Sequence, residues 1–133
     1  YEIPLRLVGS EMCIRDSVKA LGDQARGVVV TQVFPSERSL NYPVIKEAID
    51  LAKAKNIGDL TPAMLEGFVS AKVLVEGLKR AGAKPDRAKL HAGLESIHKW
   101  DVGGLELSYS PTDHSGLDFS DLSIIGTDGR FKR

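Results

Sequence analysis

The 133-residue sequence lacks most of the features that assign a chain to a specialised class. It has one cysteine, Cys13, which rules out an internal disulfide and any cysteine-based metal site and leaves the redox compartment open. It has no excess of either charge, because 18 lysines and arginines balance 18 aspartates and glutamates. Such a neutral chain has no electrostatic reason to bind nucleic acid or an anionic membrane surface. Its longest uninterrupted apolar runs are three residues, as in Val28-Val29-Val30, far short of the ~20 needed to cross a bilayer. The N-terminus shows no basic region followed by an apolar stretch, so no secretory signal is visible. There is no internal repeat and no low-complexity segment. What is present is 42% hydrophobic and 27% charged residues, the balance of a folded domain with a core of its own.

The first seventeen residues, YEIPLRLVGSEMCIRDS, stand apart. Leu7 to Ser17 are similar to an in-frame translation of a transposase-type sequencing-library adapter. Met12-Cys13-Ile14-Arg15-Asp16 correspond to the transposon end, and Leu7-Val8-Gly9-Ser10-Glu11 to the primer tail before it. Tyr1-Glu2-Ile3 fit the outer adapter, with Pro4 and Leu5 where a variable index falls. The alternative is a short strand, Ile3 to Val8, followed by a turn. The adapter reading leads to the expectation that residues 1–17 are not native and that the gene continues upstream.

From Val18 the pattern is that of an α/β protein. Val18 to Ala25 suit the tail of a helix. Gly27 to Phe34, GVVVTQVF, are β-branched and apolar on both faces until Gln32, which predicts a central strand of a parallel sheet covered on both sides. Pro35 ends it, and Ser36 to Asn41 form a polar connection. Val44, Ile45, Ala48, Ile49 and Ala52 recur at helical spacing, predicting a surface helix over 42–55. Thr61 followed by Pro62 is an N-cap and first-turn signature. It opens a helix that runs to Ala81 and stops at Gly82. Apolar residues cover most of this helix, so it is expected to be largely buried, with Gly67, Ser70 and Ala71 allowing close approach. Asp86 caps a third helix, predicted to end near Trp100, with Leu90, Gly93, Leu94 and Ile97 inward. Leu105, Leu107 and Tyr109 alternate with polar residues as in a strand, Pro111 to Asp121 read as a long polar connection, and 122–132 read as a hairpin around Thr127-Asp128-Gly129. A buried parallel strand at Gly27–Phe34 requires sheet neighbours that the rest of this sequence does not supply.

Residues with catalytic or metal-binding chemistry are sparse. His91 and His98 are seven apart, on nearly one face of a helix but about 10 Å apart along its axis, too far to share one ion. They are read as solvent-facing, and no metal and no cofactor are expected. Asp113, His114, Ser115 and Asp118 resemble parts of a hydrolytic triad, yet neighbours within one loop seldom have triad geometry, and no nucleophile elbow accompanies them. The expectation is a chain that is not an enzyme. Gly103-Gly104 and Asp128-Gly129 read as turns, because neither sits in a strand-to-helix phosphate loop. Trp100 reads as packing against a helix end, and Glu66 as a solvated or hinge-paired carboxylate that could also reach a cleft.

Three pieces carry a resemblance. They are Gly27-Val28-Val29-Val30-Thr31-Gln32-Val33-Phe34-Pro35; Glu66-Gly67-Phe68 leading to Leu78-Lys79-Arg80-Ala81-Gly82; and Tyr109-Ser110-Pro111-Thr112-Asp113-His114-Ser115-Gly116 followed by Ile125-Gly126-Thr127-Asp128-Gly129-Arg130-Phe131. In this order and spacing they are similar to the leucine/isoleucine/valine-binding protein family, the type I periplasmic solute-binding proteins of ABC transporters. The resemblance implies the C-terminal third of a two-lobed α/β fold, with an incomplete parallel sheet, three main helices and a terminal hairpin. It places 18–35 at the end of the C-terminal lobe, 36–112 in the N-terminal lobe, and 113–133 in the return crossover and final hairpin of the C-terminal lobe. Phe34, Pro35, Ser110 and Pro111 then mark the hinge crossings.

The same resemblance implies capture of an amino acid or similar small solute in the cleft between lobes, and delivery to the membrane permease of an ABC importer. It implies a periplasmic protein with a signal encoded upstream, no nucleic-acid partner and no membrane insertion of its own. In this segment the matching cleft position is Thr61-Pro62-Ala63. Relatives often carry an aromatic residue where this sequence has Ala63, which implies a roomier pocket than one for a branched-chain amino acid. An alternative implication is a ligand-sensing regulatory module of the same fold; a third reading, from the loop residues rather than the resemblance, is a hydrolase built on the His114 loop.

Overall fold

The structure, a computed structural model, describes residues 20–127 and 131–132. The adapter-like segment 1–17 and the Asp128-Gly129 part of the expected turn lie outside the described residues. The chain divides into two compact units, one of Tyr1–Phe34 with Ser120–Arg133, the other of Pro35–Phe119.

In the first unit, Gly22–Ala25 form a single 3-10 turn. It leads into β1 (Val29–Gln32), which pairs with β5 (Asp121–Ile125), and β5 pairs in turn with β6 (Phe131–Lys132). Both ladders are antiparallel, with Val29 opposite Ile124 and Ile125 opposite Phe131. The hairpin expected near the end is therefore present. The parallel neighbours expected for Gly27–Phe34 are not found among the described strands, and this strand is not covered on both faces. Gln32, Ser123 and Ile125 are buried on one face, whereas Val29 is 61% exposed and its partner Ile124 44% on the other. A run of β-branched residues specifies extended backbone, but it does not specify the direction of the neighbour or which face is covered.

The second unit holds three helices and a small sheet. The helices are α1 (Pro43–Ala54), α2 (Pro62–Ala81) and α3 (Arg87–Glu95). Strands β2 (Trp100–Asp101), β3 (Glu106–Ser110) and β4 (Asp113–Leu117) pair antiparallel in that order. Val44, Ile45, Ala48 and Ala52 of α1 are buried, as their helical spacing requires, together with Leu65, Val69, Ile97, Val102, Leu105 and Leu107. Full burial of each such aliphatic side chain larger than alanine stabilises by about 1.5–3 kcal/mol. The caps also form as read. Thr61 Oγ1 accepts from the Met64 N–H at 3.3 Å, Asp86 Oδ1 accepts from the Lys89 N–H at 2.8 Å, and Gly82 ends α2 at φ +74°. At α1 the N-cap residue Tyr42 gives no side-chain bond; the Val44 N–H donates instead to the Gly103 carbonyl at 3.1 Å.

Several expectations for this unit are corrected. Helix α2 is not largely buried: Leu74, Val75 and Leu78 are 48%, 51% and 39% exposed. An apolar stripe is covered only where a neighbour exists, and within this unit α2 packs on α1 and α3. Its close approach is at Gly77, not Gly67. A methyl group added at Gly77 would lie 2.5 Å from Leu94 Cδ2, whereas one added at Gly67 would meet nothing within 4 Å. Helix α3 ends at Glu95, not near Trp100. There the Ser96 hydroxyl donates to the Gly93 carbonyl at 2.7 Å and Arg80 Nη1 to the Ser96 carbonyl at 2.7 Å, consuming acceptors that a further turn would use. Part of the supposed polar connection is strand β4. Its residues are polar because it is an edge strand whose Asp113, His114 and Ser115 are exposed. The chain passes between the two units at Phe34–Pro35 and again at Phe119–Ser120.

Candidate functional site

Thr61 and Pro62 are half-buried and Ala63 is exposed at the start of α2, above the fully buried Leu65. Pro62 has no N–H, Met64 donates to Thr61 Oγ1, and Leu65 donates to the Thr61 carbonyl at 3.0 Å. The Ala63 N–H is thus the first-turn donor without a protein acceptor among the described residues. It sits at the positive end of the helix dipole, which favours an anionic group. Phe34 closes the first unit and the buried Pro35 opens the second. Ser110 ends β3 and Pro111 begins the turn to β4, where Ser110 Oγ accepts from the Asp113 N–H at 3.0 Å.

A second group of residues converges where the sequence pointed only in part. His91 and Glu95 are four apart on α3, on one face, and His114 comes from β4. His91 Nδ1 lies 3.4 Å from Glu95 Oε2, and His114 Nε2 lies 3.1 Å from Glu95 Oε1. The two imidazole rings meet edge to face, 5.8 Å between centroids and 82° between planes. Val73, Leu94 and Tyr109 complete the walls of a pocket of about 220 Å³. Burial raises the Tyr109 phenol above its ordinary pKa. His98 is exposed and outside the group. Only the His91–Glu95 spacing was legible beforehand, since His114 arrives through strand pairing.

The triad-like residues of the same strand are not assembled as a triad. Asp113 Oδ1 accepts from the Ser115 N–H at 2.9 Å, which with the Ser115 hydroxyl holds the carboxyl below its usual pKa. The His114 ring is turned to Glu95 rather than to Ser115 or Asp118.

A family model described as periplasmic binding protein matches residues 4–118. Solved structures agree. A substrate-binding periplasmic protein from Ralstonia solanacearum is 32% identical with a TM-score of 0.71, over 82% of this chain and 32% of that one. An extracellular ligand-binding receptor from Verminephrobacter eiseniae is 31% identical with a TM-score of 0.71, over 87% and 34%. A protein from Rhodopirellula baltica described as a possible leucine/isoleucine/valine-binding protein is 29% identical with a TM-score of 0.76, over 95% and 34%. The chain spans about a third of the length of the structures it matches. No curated protein matches.

Proposed function

Because the chain belongs to the periplasmic binding protein family, we propose that it is part of the substrate-binding component of an ABC importer, capturing an amino acid or similar small solute in a cleft between two lobes. The observation that carries this reading is the family match over residues 4–118, most of the chain. It is supported by a chain that divides into two units with passages at Phe34–Pro35 and Phe119–Ser120. In this reading a solute that contacts both lobes shifts a hinge equilibrium toward the closed form, by no more than its differential affinity for the two states. The α2 N-terminus supplies the Ala63 N–H and a favourable potential for a carboxylate, and the small Ala63 side chain leaves space beside it. The protein acts in the periplasm and hands its solute to a membrane permease. Among the described residues no helix is long and apolar enough to cross a membrane.

Equilibrium dialysis of the protein, as encoded at its locus, against a panel of radiolabelled amino acids tests the proposal. One solute retained at one equivalent is the expected result; retention of none would overturn the amino-acid reading. Ala63→Phe, at an exposed position, is expected to weaken that binding at least tenfold, about 1.4 kcal/mol. Unchanged affinity in this variant would remove Thr61-Pro62-Ala63 from the cleft while leaving solute capture standing.

A further inference from the structure

We propose that His91, Glu95 and His114 form a site for a divalent transition-metal ion, zinc by its donor set, on the Pro35–Phe119 unit. The proposal stands independently of solute capture. Each residue offers one ligand atom, and the three atoms lie within 4.8 Å of one another. Around a tetrahedral ion with bonds of about 2.0–2.1 Å, neighbouring ligand atoms are roughly 3.3 Å apart. Each histidine already stands at about that distance from the carboxylate, His91 Nδ1 3.4 Å from Oε2 and His114 Nε2 3.1 Å from Oε1, so whichever oxygen binds has one edge in place. The remaining edges, within 4.8 Å, have to close, and both histidine side chains are free to turn, 67% and 58% exposed, while Glu95 is held at 19%.

The donor chemistry selects the ion. Two imidazoles and one carboxylate suit zinc and its first-row neighbours, whereas calcium and magnesium prefer all-oxygen shells. The two histidines approach different oxygens of the same carboxylate. A single histidine would satisfy an ordinary ion pair; a metal engages all three groups at once. The open side faces a pocket walled by Val73, Leu94 and Tyr109, which leaves room for water or a small ligand in the remaining position.

The scaffold fixes the backbone positions of the three ligands before any ion arrives. His91 and Glu95 share one face of α3 at i,i+4 spacing. The segment that follows α3 is tied to β3 by the Tyr109 N–H to the Ile97 carbonyl at 2.8 Å and by the Lys99 N–H to Ser108 Oγ at 2.8 Å. Strand β4 is then set on β3 by the pairs Leu107–Leu117 and Ser108–Gly116. Gly116 packs against the Tyr109 phenol so closely that a methyl group there would lie 2.6 Å from its oxygen. These links place His114 opposite Glu95. The sequence expectation of no metal weighed only His91 against His98; the structure supplies a different third partner.

The test titrates zinc ion against the full, untagged chain in competition with a chromophoric chelator, and repeats it with cobalt(II), whose visible bands report four-coordination. One equivalent is expected at micromolar affinity, with Tm raised by roughly 5 °C or more at a hundredfold excess over Kd. His91→Ala and His114→Ala, two exposed positions on different elements, are each expected to weaken binding at least tenfold with unchanged circular dichroism. His98→Ala is expected to leave it unchanged. Binding no tighter than millimolar would overturn the site, as would His91→Ala and His114→Ala variants that bind like His98→Ala.

Discussion

Replacing glycine by alanine at three helical positions asks how closely α2 and α3 cross. Inside a helix the change is favourable by about 1 kcal/mol, because alanine orders less backbone freedom. At Gly67, exposed on α2, an added methyl group meets nothing within 4 Å, so Gly67→Ala is expected to gain that amount. At Gly77 the methyl group would lie 2.5 Å from Leu94 Cδ2 and 2.9 Å from its Cγ. Leu94 is half-buried and can change rotamer, so the strain offsets the gain and Gly77→Ala is expected to be near neutral. At Gly93 the obstacles are backbone: the Gly77 carbonyl oxygen at 2.6 Å and the Ala81 nitrogen at 3.1 Å. Backbone cannot rotate aside, so the helices must separate. Overpacking of this kind costs about 1–3 kcal/mol, leaving Gly93→Ala destabilised by up to about 2 kcal/mol and about 1–3 kcal/mol less stable than Gly67→Ala. Urea and thermal denaturation followed by circular dichroism measure all three, with a spread in Tm of several degrees between Gly67→Ala and Gly93→Ala. A Gly93→Ala protein as stable as Gly67→Ala would refute the close crossing.

Two further outcomes follow from local hydrogen bonds. Thr61→Ala removes the acceptor of the Met64 N–H and is expected to lower stability by about 1 kcal/mol in the same denaturation assay, whereas Thr61→Ser, which keeps the oxygen, should lose much less. The Asp101 carboxylate accepts from the N–H groups of Gly103 and Gly104, which holds its pKa below the ordinary value. The folded form therefore binds fewer protons than the unfolded form between the two pKa values. The resulting stability is present above about pH 4, the ordinary carboxylate value, and is lost as pH falls through the folded value. Stability measured from pH 6 to pH 2 should decline less steeply in Asp101→Asn than in the parent; identical slopes would count against the assignment.

Local chemistry was legible in the sequence wherever a residue acts on its own backbone. Thr61-Pro62, Gly82 and Asp86 mark helix ends because capping needs only neighbours a few residues away. The stripe Val44, Ile45, Ala48, Ala52 and the alternation Leu105, Leu107 placed core faces for the same reason, since periodicity is intrinsic to one helix or strand. The family resemblance, spread over pieces in fixed order, also belongs to the chain as written.

What sequence left open was every property that needs a second element. The valines at 28–30 declared a strand, but pairing with β5 decided its direction and which face is covered. The polar run 113–117 resembled a loop until β3 supplied its hydrogen bonds. Gly93 was placed on the inward face of its helix, but its contact with the Gly77 carbonyl exists only where two helices cross. His91 and His98 were weighed as a pair because they are near in sequence; strand pairing brought His114 to Glu95 instead. Backbone preference acts over a few residues, whereas these contacts depend on how distant segments exclude water and satisfy one another, and that is decided by the packed chain.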